Sequence, residues 1–348
     1  MKKLLLIIGF ASLTYFSGAQ ELKSYEFPRG DIRFMFYNCE NLFDTFDDSL
    51  KNDESFLPDR EHYWTPSKYR KKLYNISKVI MATGQWEPPE IIGLCEIENR
   101  KVLNDLTKKT GLKKFNYRII HKESPDKRGI DVAMLYRPDK FYPLIYKTFK
   151  ITFPFDSDKP TRDILYVKGI DDFKDTLHIF INHWPSRWGG QNETDRKRRF
   201  VASVLRNIVD SLFSAENNPD IIIAGDLNDY PTNNSVIKDL KALTDFNNPK
   251  SEELYNLAWY LQEIKHQGSH KHAGEWGVLD QIIVSGNLLN KLNKLYTSPD
   301  NVHVLNAPFL LEDDNNYTGK KPFRTYTGFR FHDGYSDHLP VYLDLFRK

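Results

Sequence analysis

The sequence predicts an α/β fold, a four-layer α/β/β/α sandwich of two mostly antiparallel or mixed sheets flanked by helices. Three observations carry that expectation: many short apolar runs bounded by turn residues, only two long segments of helical period, and no linker composition that would split the chain. The runs lie at 32–37, 91–95, 116–121, 131–136, 163–168, 177–182, 220–224, 279–284 and 340–345. Among them DIIIAGDLND, at 220–229, reads as a strand buried on both faces whose apolar run stops at Asp226 and Asn228. Helical period is plain over 67–83, where Tyr69, Leu73, Ile76 and Ile80 follow Thr65-Pro66-Ser67, and over 194–213, where Val201, Val204, Leu205, Ile208, Val209 and Leu212 recur. The stretch 286–335 is rich in Asn, Asp, Gly and Pro without a period, and 44–66 is acidic and loop-like.

Composition excludes little but bounds the partners. In 348 residues the net charge is +2 and the charged fraction 28%, which gives no global basic field for a polyanion. Local basic clusters occur at Lys68–Lys72 and Arg196–Arg199. Both fall on amphipathic helical patterns, where a solvated helix face is the plainer reading. Residues 1–19, MKKLLLIIGFASLTYFSGA, read as a secretory signal peptide with cleavage before Gln20, too short for a stable membrane span. The expectation is a secreted or periplasmic protein whose residues 20–348 form one catalytic domain, monomeric and without membrane insertion after cleavage. Cys39 and Cys95 are the two cysteines, so the fold is no disulfide scaffold. Period-two alternation is expected to turn both thiols away from the site, as two buried apolar cysteines, with a disulfide the lesser alternative.

The chemistry lies where the strands end. FMFYNCEN ends in Asn38 and Asn41, IIGLCEIEN carries Glu96, LHIFINHWPSR carries Asn182 and His183, VLDQIIVS begins near Asp280, and SDHLPV holds Asp337 and His338. Oxygen-rich ligands without a Cys/His cluster of zinc spacing suit a hard cation, Mg2+, with Mn2+ or Ca2+ as alternatives. Magnesium binds through one or two carboxylates plus substrate phosphate oxygens, so a phosphoester substrate follows. An acid beside a histidine fixes its tautomer and raises its basicity; Asp280 is a candidate partner for His338, and Asp131 in KRGIDVAMLYRP for His183. Each motif alone reads more readily as a turn, a cap or a satisfied core histidine. Their joint placement at the ends of apolar runs is what points to chemistry.

The ordered set NCENLFD, LCEIEN, KRGIDVAMLYR, NHWPSR, GDLND, LDQIIVS and SDHLPV resembles the endonuclease/exonuclease/phosphatase superfamily, deoxyribonuclease I-like, over essentially all of 30–346. That resemblance implies the α/β/β/α sandwich with its site at one end of the two sheets. It implies Glu96 as principal metal ligand with Asn38 alongside, and Asp337 as a metal ligand or a support to one. It further implies that Asp226 and Asn228 orient the attacking water and bind the scissile phosphate, that Asp280 pairs with His338, and that His183 contacts the phosphoryl oxygens or assists proton transfer. Asn41 and Asp131 are supporting residues, and Arg128 and Arg187 are added as phosphate contacts because guanidinium forks match phosphate oxygens. Two departures stand out: Cys95 replaces the glutamine that often precedes the metal-binding glutamate, and Glu98 stands where pancreatic-type enzymes carry an arginine.

For substrate, the leading expectation is nucleic acid, because Trp184 and Trp188 in the NHWPSRWGG loop can stack bases. A phosphatase or phosphodiesterase on a small or lipid-linked phosphoester is the alternative.

Overall fold

The computed structural model describes residues 29–85 and 87–348; the expected signal peptide lies outside the described residues. Eight strands are β1 (Ile32–Leu42), β2 (Ile91–Ile97), β3 (Arg118–His121), β4 (Asp131–Tyr136), β5 (Phe141–Phe149), β6 (Ile164–Asp171), β7 (Thr176–His183) and β8 (Asp220–Asp226). They are followed by the strands Asp280–Ser285 and Val341–Arg347 and several two- or three-residue strands. The helices are α1 (Pro66–Gly84), α2 (Arg100–Lys108), α3 (Gln191–Ala215) and α4 (Leu257–Glu263).

Two seven-stranded mixed sheets form. In the first, β1 pairs in parallel with β2 and antiparallel with Val341–Arg347, while β2 continues to β4 and β3. In the second, β7 pairs in parallel with β8, flanked by β6 and β5 on one side and by Asp280–Ser285 on the other. Each sheet is thus centred on one parallel pair with antiparallel neighbours, so the carboxyl ends of β1, β2, β7 and β8 and the amino end of Asp280–Ser285 come to one edge.

Alternation assigns the faces. Phe34 and Phe36 of β1 meet Leu177, Ile179 and Ile181 of β7 and Ile222 and Ala224 of β8 in one core between the sheets. Ile221, Ile223 and Phe180 point the other way and pack under Val201, Leu205 and Val209 of α3. On the outer face of the first sheet α1 buries Tyr69, Leu73, Ile76 and Ile80, the residues its periodicity marked. Thr65 caps α1 by accepting from the Lys68 amide, and Pro66 opens it without a donor to satisfy.

Besides the short strands, three elements escape the sequence reading. β5 is an edge strand with Tyr142, Leu144, Ile145 and Tyr146 exposed, so it lacks the buried pattern used to find strands, and Pro143 lies beside a register irregularity. α2 and α4 are too short for period alone to separate from loops.

Both basic clusters are only partly solvated faces. Lys72 is buried, donating to Thr325 Oγ1 and the Tyr335 carbonyl. Arg198 is fully buried, its Nε 2.8 Å from Asp229. Cys39 and Cys95 are free and buried. Cys95 corrects the expectation from alternation: it shares its face with Gly93, whose Cα faces Ile181 of the opposite sheet, so its thiol lies on the inter-sheet side beneath the site.

Gly225 shows how closely β7 and β8 approach. It is in register with Asn182, and a Cβ there would stand 2.5 Å from the Asn182 carbonyl oxygen and 2.6 Å from its Cβ. Gly225→Ala is expected to cost about 1–3 kcal/mol through overpacking against backbone, read as a lower urea midpoint; an unchanged midpoint contradicts the close approach.

Candidate active site

A break in strand alternation builds the site. β1 and β2 lose register between Asn38 and Leu42, and β2 and β4 between Cys95 and Ile97. Glu40, Asn41 and Glu96 there have φ of 48°, 56° and 57°, a left-handed conformation costly for residues with a Cβ. Glu96, which strict alternation would place opposite to Cys95, is re-aimed by this bulge. Its Oε2 accepts from the Asn41 amide at 2.9 Å, and its Oε1 lies 3.9 Å from His183 Nε2.

Two contacts cross between the sheets. Asn38 Nδ2 donates to Asp226 Oδ2 at 3.0 Å, and His338 Nδ1 lies 2.7 Å from Asp280 Oδ2. His183 Nε2 and His338 Nε2 each stand 3.8 Å from Asp226 Oδ2, too far for a direct hydrogen bond. Both ring edges therefore remain available to a substrate oxygen. Asp226 Oδ1 accepts the Asn228 amide at 2.9 Å, which holds Asn228 at φ 50°.

The two histidines differ in charge. Burial opposes protonation of His338, but the Asp280 and Asp226 carboxylates outweigh it and hold its imidazole well above the ordinary range. Burial, with the Arg162 and Arg128 guanidiniums and His338 adding, pushes His183 well below it. Burial raises the Asp226 carboxyl to about 7, with His338 opposing and Asp280 adding. The result is a neutral imidazole and a cationic one flanking a carboxylate that changes charge near neutral pH.

The remaining expected residues fall into place unevenly. Asn41 links Glu96 to Arg128, whose Nη2 donates to Asn41 Oδ1 at 2.8 Å. Asp337 accepts from Arg324 at 3.0 Å and groups with His270 and His338 within 4.8 Å. Asn228 directs its Nδ2 to the Trp184 carbonyl at 3.0 Å, bracing the loop after β7. Two assignments are corrected. Asp131 pairs with His121 Nε2 at 3.1 Å, because β4 lies on the first sheet beside β3, and does not orient His183. Arg187 is tied to the Asn228 carbonyl, Asp229 and Asn233 and lies over the Tyr230 ring, so its fork secures the Asp226–Asn233 loop instead of facing a phosphate.

Other residues at this edge are not among those the sequence reading singled out. Glu40 Oε1 accepts from Arg324 Nε at 3.1 Å and its Oε2 from the Thr325 amide at 2.6 Å, with the Lys72 ammonium 4.0 Å away. Arg162, buried, donates to the His183 and Trp184 carbonyls. Glu40 could have been found, since it sits inside NCEN; Arg324 lies in the stretch without a period. Glu98 is buried and bonded to the Asp44 amide, and burial raises its carboxyl to about 8, so it presents little charge to a polyanion at neutral pH.

The donor set fits a hard divalent cation. Glu96 offers Oε1, and Asn38 offers a second lone pair on Oδ1, which already accepts the Glu40 amide at 2.9 Å. Carboxylate and amide oxygens in small number suit magnesium, which keeps waters and takes further oxygens from substrate phosphate.

The model of the Endonuclease/Exonuclease/phosphatase family matches residues 33–347. No curated protein matches the chain. Among solved structures, an endonuclease/exonuclease/phosphatase family protein from Bacteroides thetaiotaomicron is similar at 16% identity and TM-score 0.56, covering 90% of this chain and 97% of that one. A B. thetaiotaomicron mannosyl-6-phosphatase gives 17%, 0.55, 90% and 99%. D. rerio TDP2 complexed with single-strand DNA product gives 14%, 0.53, 90% and 98%. At these identities the structures establish the fold.

The His338–Asp280 pair yields a pH prediction. A raised histidine value means its stabilisation is full below about pH 6.5 and is lost as pH rises through the folded value. In chelated protein, the His338 ring signals should titrate above free imidazole, and at lower pH in Asp280→Asn than in the parent protein. An unshifted titration in the variant contradicts the pairing.

Proposed function

The chain belongs to the endonuclease/exonuclease/phosphatase family, whose members are hydrolases acting on phosphoester bonds, and from that premise we propose an exported, divalent-metal-dependent phosphodiester hydrolase of nuclease type. The observation that carries the reading is the meeting, across the two sheets, of Glu96, Asn38, Asp226, His183 and the His338–Asp280 pair at one edge. A divalent cation such as Mg2+, when bound, would supply charge neutralisation for the phosphate and favour ionisation of the attacking water. Glu96, with Asn38, would hold it.

The protein's own groups supply the rest. Asp226, poised near neutrality and oriented by Asn38 and the Asn228 amide, takes the proton of the attacking water. His338, kept cationic by Asp280, stabilises charge gathering on the phosphoryl oxygens, and His183 donates a hydrogen bond from its neutral ring. As the water oxygen bonds to phosphorus the ester P–O bond breaks, and the leaving oxygen takes its proton from solvent.

The nuclease reading is supported by an exposed Trp188, 91% accessible in the loop after β7. Trp184 is buried, its Nε1 on Asn182, and takes no part. A second reading, a phosphatase or phosphodiesterase on a small phosphoester, is favoured by the basic clusters. Lys72 and Arg198 are internal and Arg199 is paired with Asp239, which removes three cations of these clusters from tracking a long strand.

A screen of purified 20–348 protein across plasmid DNA, RNA, a small phosphodiester and sugar phosphates tests the proposal. Mg2+- or Mn2+-dependent nicking of plasmid is expected, abolished by chelation and reduced at least about 10²-fold in Glu96→Ala and His338→Ala. Cleavage confined to small phosphoesters removes the nuclease assignment and keeps the chemistry. No hydrolysis with any divalent metal refutes both.

A further inference from the structure

Beside the catalytic edge lies a cavity of about 210 Å³. Its walls are aromatic: Phe56, His62, Trp64 and Tyr326. They are held rigidly, since Phe56 stacks on both Phe43 and His62 at centroid distances of 4.5 and 4.3 Å, and Tyr326 meets His62 edge-on at 4.8 Å. Trp64 Nε1 donates to the Phe43 carbonyl and the Tyr326 hydroxyl to the His62 carbonyl; Trp64 and Tyr326 are buried and both faces of Phe56 are covered by Phe43 and His62, so the walls present ring edges.

The cavity's other lining connects it to the reacting centre. Asn41, whose amide holds Glu96, and Arg324, which bridges Glu40 and Asp337, both line it. A phosphate held near Glu96 would therefore lie next to the opening. We propose that this cavity is a substrate subsite that takes the nucleobase of the nucleotide bearing the scissile phosphate, with Arg324 at the junction between base and phosphate. The proposal rests on the phosphodiesterase reading above and names the group that the enzyme selects.

A planar base fits better than a sugar. The positive edges of these rings favour the face of a planar π-system, an edge-to-face contact that tolerates different bases. A hexose needs many hydrogen-bonding partners for its hydroxyls, and the carboxylate and hydroxyl of the lining are spent. Glu40 uses both oxygens on Arg324 and Thr325, and Thr325 Oγ1 is bonded to Lys72 and the Tyr335 carbonyl. A volume of about 210 Å³ also suits one ring system and not an oligomer.

The test compares the p-nitrophenyl ester of thymidine 5′-monophosphate with methyl p-nitrophenyl phosphate, which lacks a base, and with p-nitrophenyl mannose phosphate. The base-bearing ester is expected to have a kcat/KM about tenfold or more above the other two, and His62→Ala and Phe56→Leu to reduce that ratio about tenfold. Equal rates for the three esters, a preference for the mannose ester, or variants that lower all three in proportion overturn the subsite and leave the hydrolytic chemistry standing. If no ester is hydrolysed, the phosphodiesterase reading fails separately, and calorimetry decides the subsite. Thymidine 5′-monophosphate binding at least about tenfold tighter than ribose 5-phosphate, weakened in His62→Ala, supports it; equal affinity refutes it.

Discussion

The site depends on one backbone constraint, the left-handed residues that end β1 and β2. In a regular strand Glu96 and Cys95 would face opposite sides, and the carboxylate would lie under the outer helices. The bulge sacrifices ladder pairing and places Glu40, Asn41 and Glu96 in a conformation that costs on the order of 1–3 kcal/mol each. The surroundings offset that cost with hydrogen bonds directed at these residues: Asn38 Oδ1 on the Glu40 amide, Glu96 on the Asn41 amide, and Thr325 and Arg324 on the Glu40 carboxylate. Asn228 repeats the device on the second sheet, its amide held by Asp226. Strain and function are thus joined at the same residues.

Charge is organised in two tiers around this edge. Behind it sit pairs whose task is architectural: Arg198 with Asp229, Arg162 with Asp126, and Lys72 near Glu40. Breaking such a buried pair by removing one member is expensive, because the other is left charged without water. In front sit groups whose charge is adjustable, Asp226 and the two histidines. The architectural cations also tune the adjustable ones, since Arg162 helps to keep His183 neutral while holding the loop after β7 by its carbonyls.

The sequence made the buried strand interiors and the ends of their apolar runs legible, because burial on both faces leaves an unbroken signal. Asn38, Glu96, His183, Asp226, Asp280 and His338 were readable for that reason, and the structure brings them together. What was not readable has physical causes. β5 is exposed and resembles a loop; Arg324 and Lys72 act through contacts made 284 and 253 positions apart in sequence. The error over Cys95 arose from applying period two through a bulge that only tertiary pairing reveals. Arg187 and Asp131 had the right side chains in the right neighbourhood but nearer partners.

The central claim is that the re-aimed Glu96 carboxylate makes this edge a divalent-cation site facing the two histidines. Titrating Mn2+ into chelator-treated protein and following the ring signals of His183 and His338 by NMR tests it directly. The account predicts selective paramagnetic broadening of both histidines at stoichiometric Mn2+, abolished in Glu96→Gln while the fold is retained. Broadening that spares these rings, or that persists unchanged in Glu96→Gln, would contradict it.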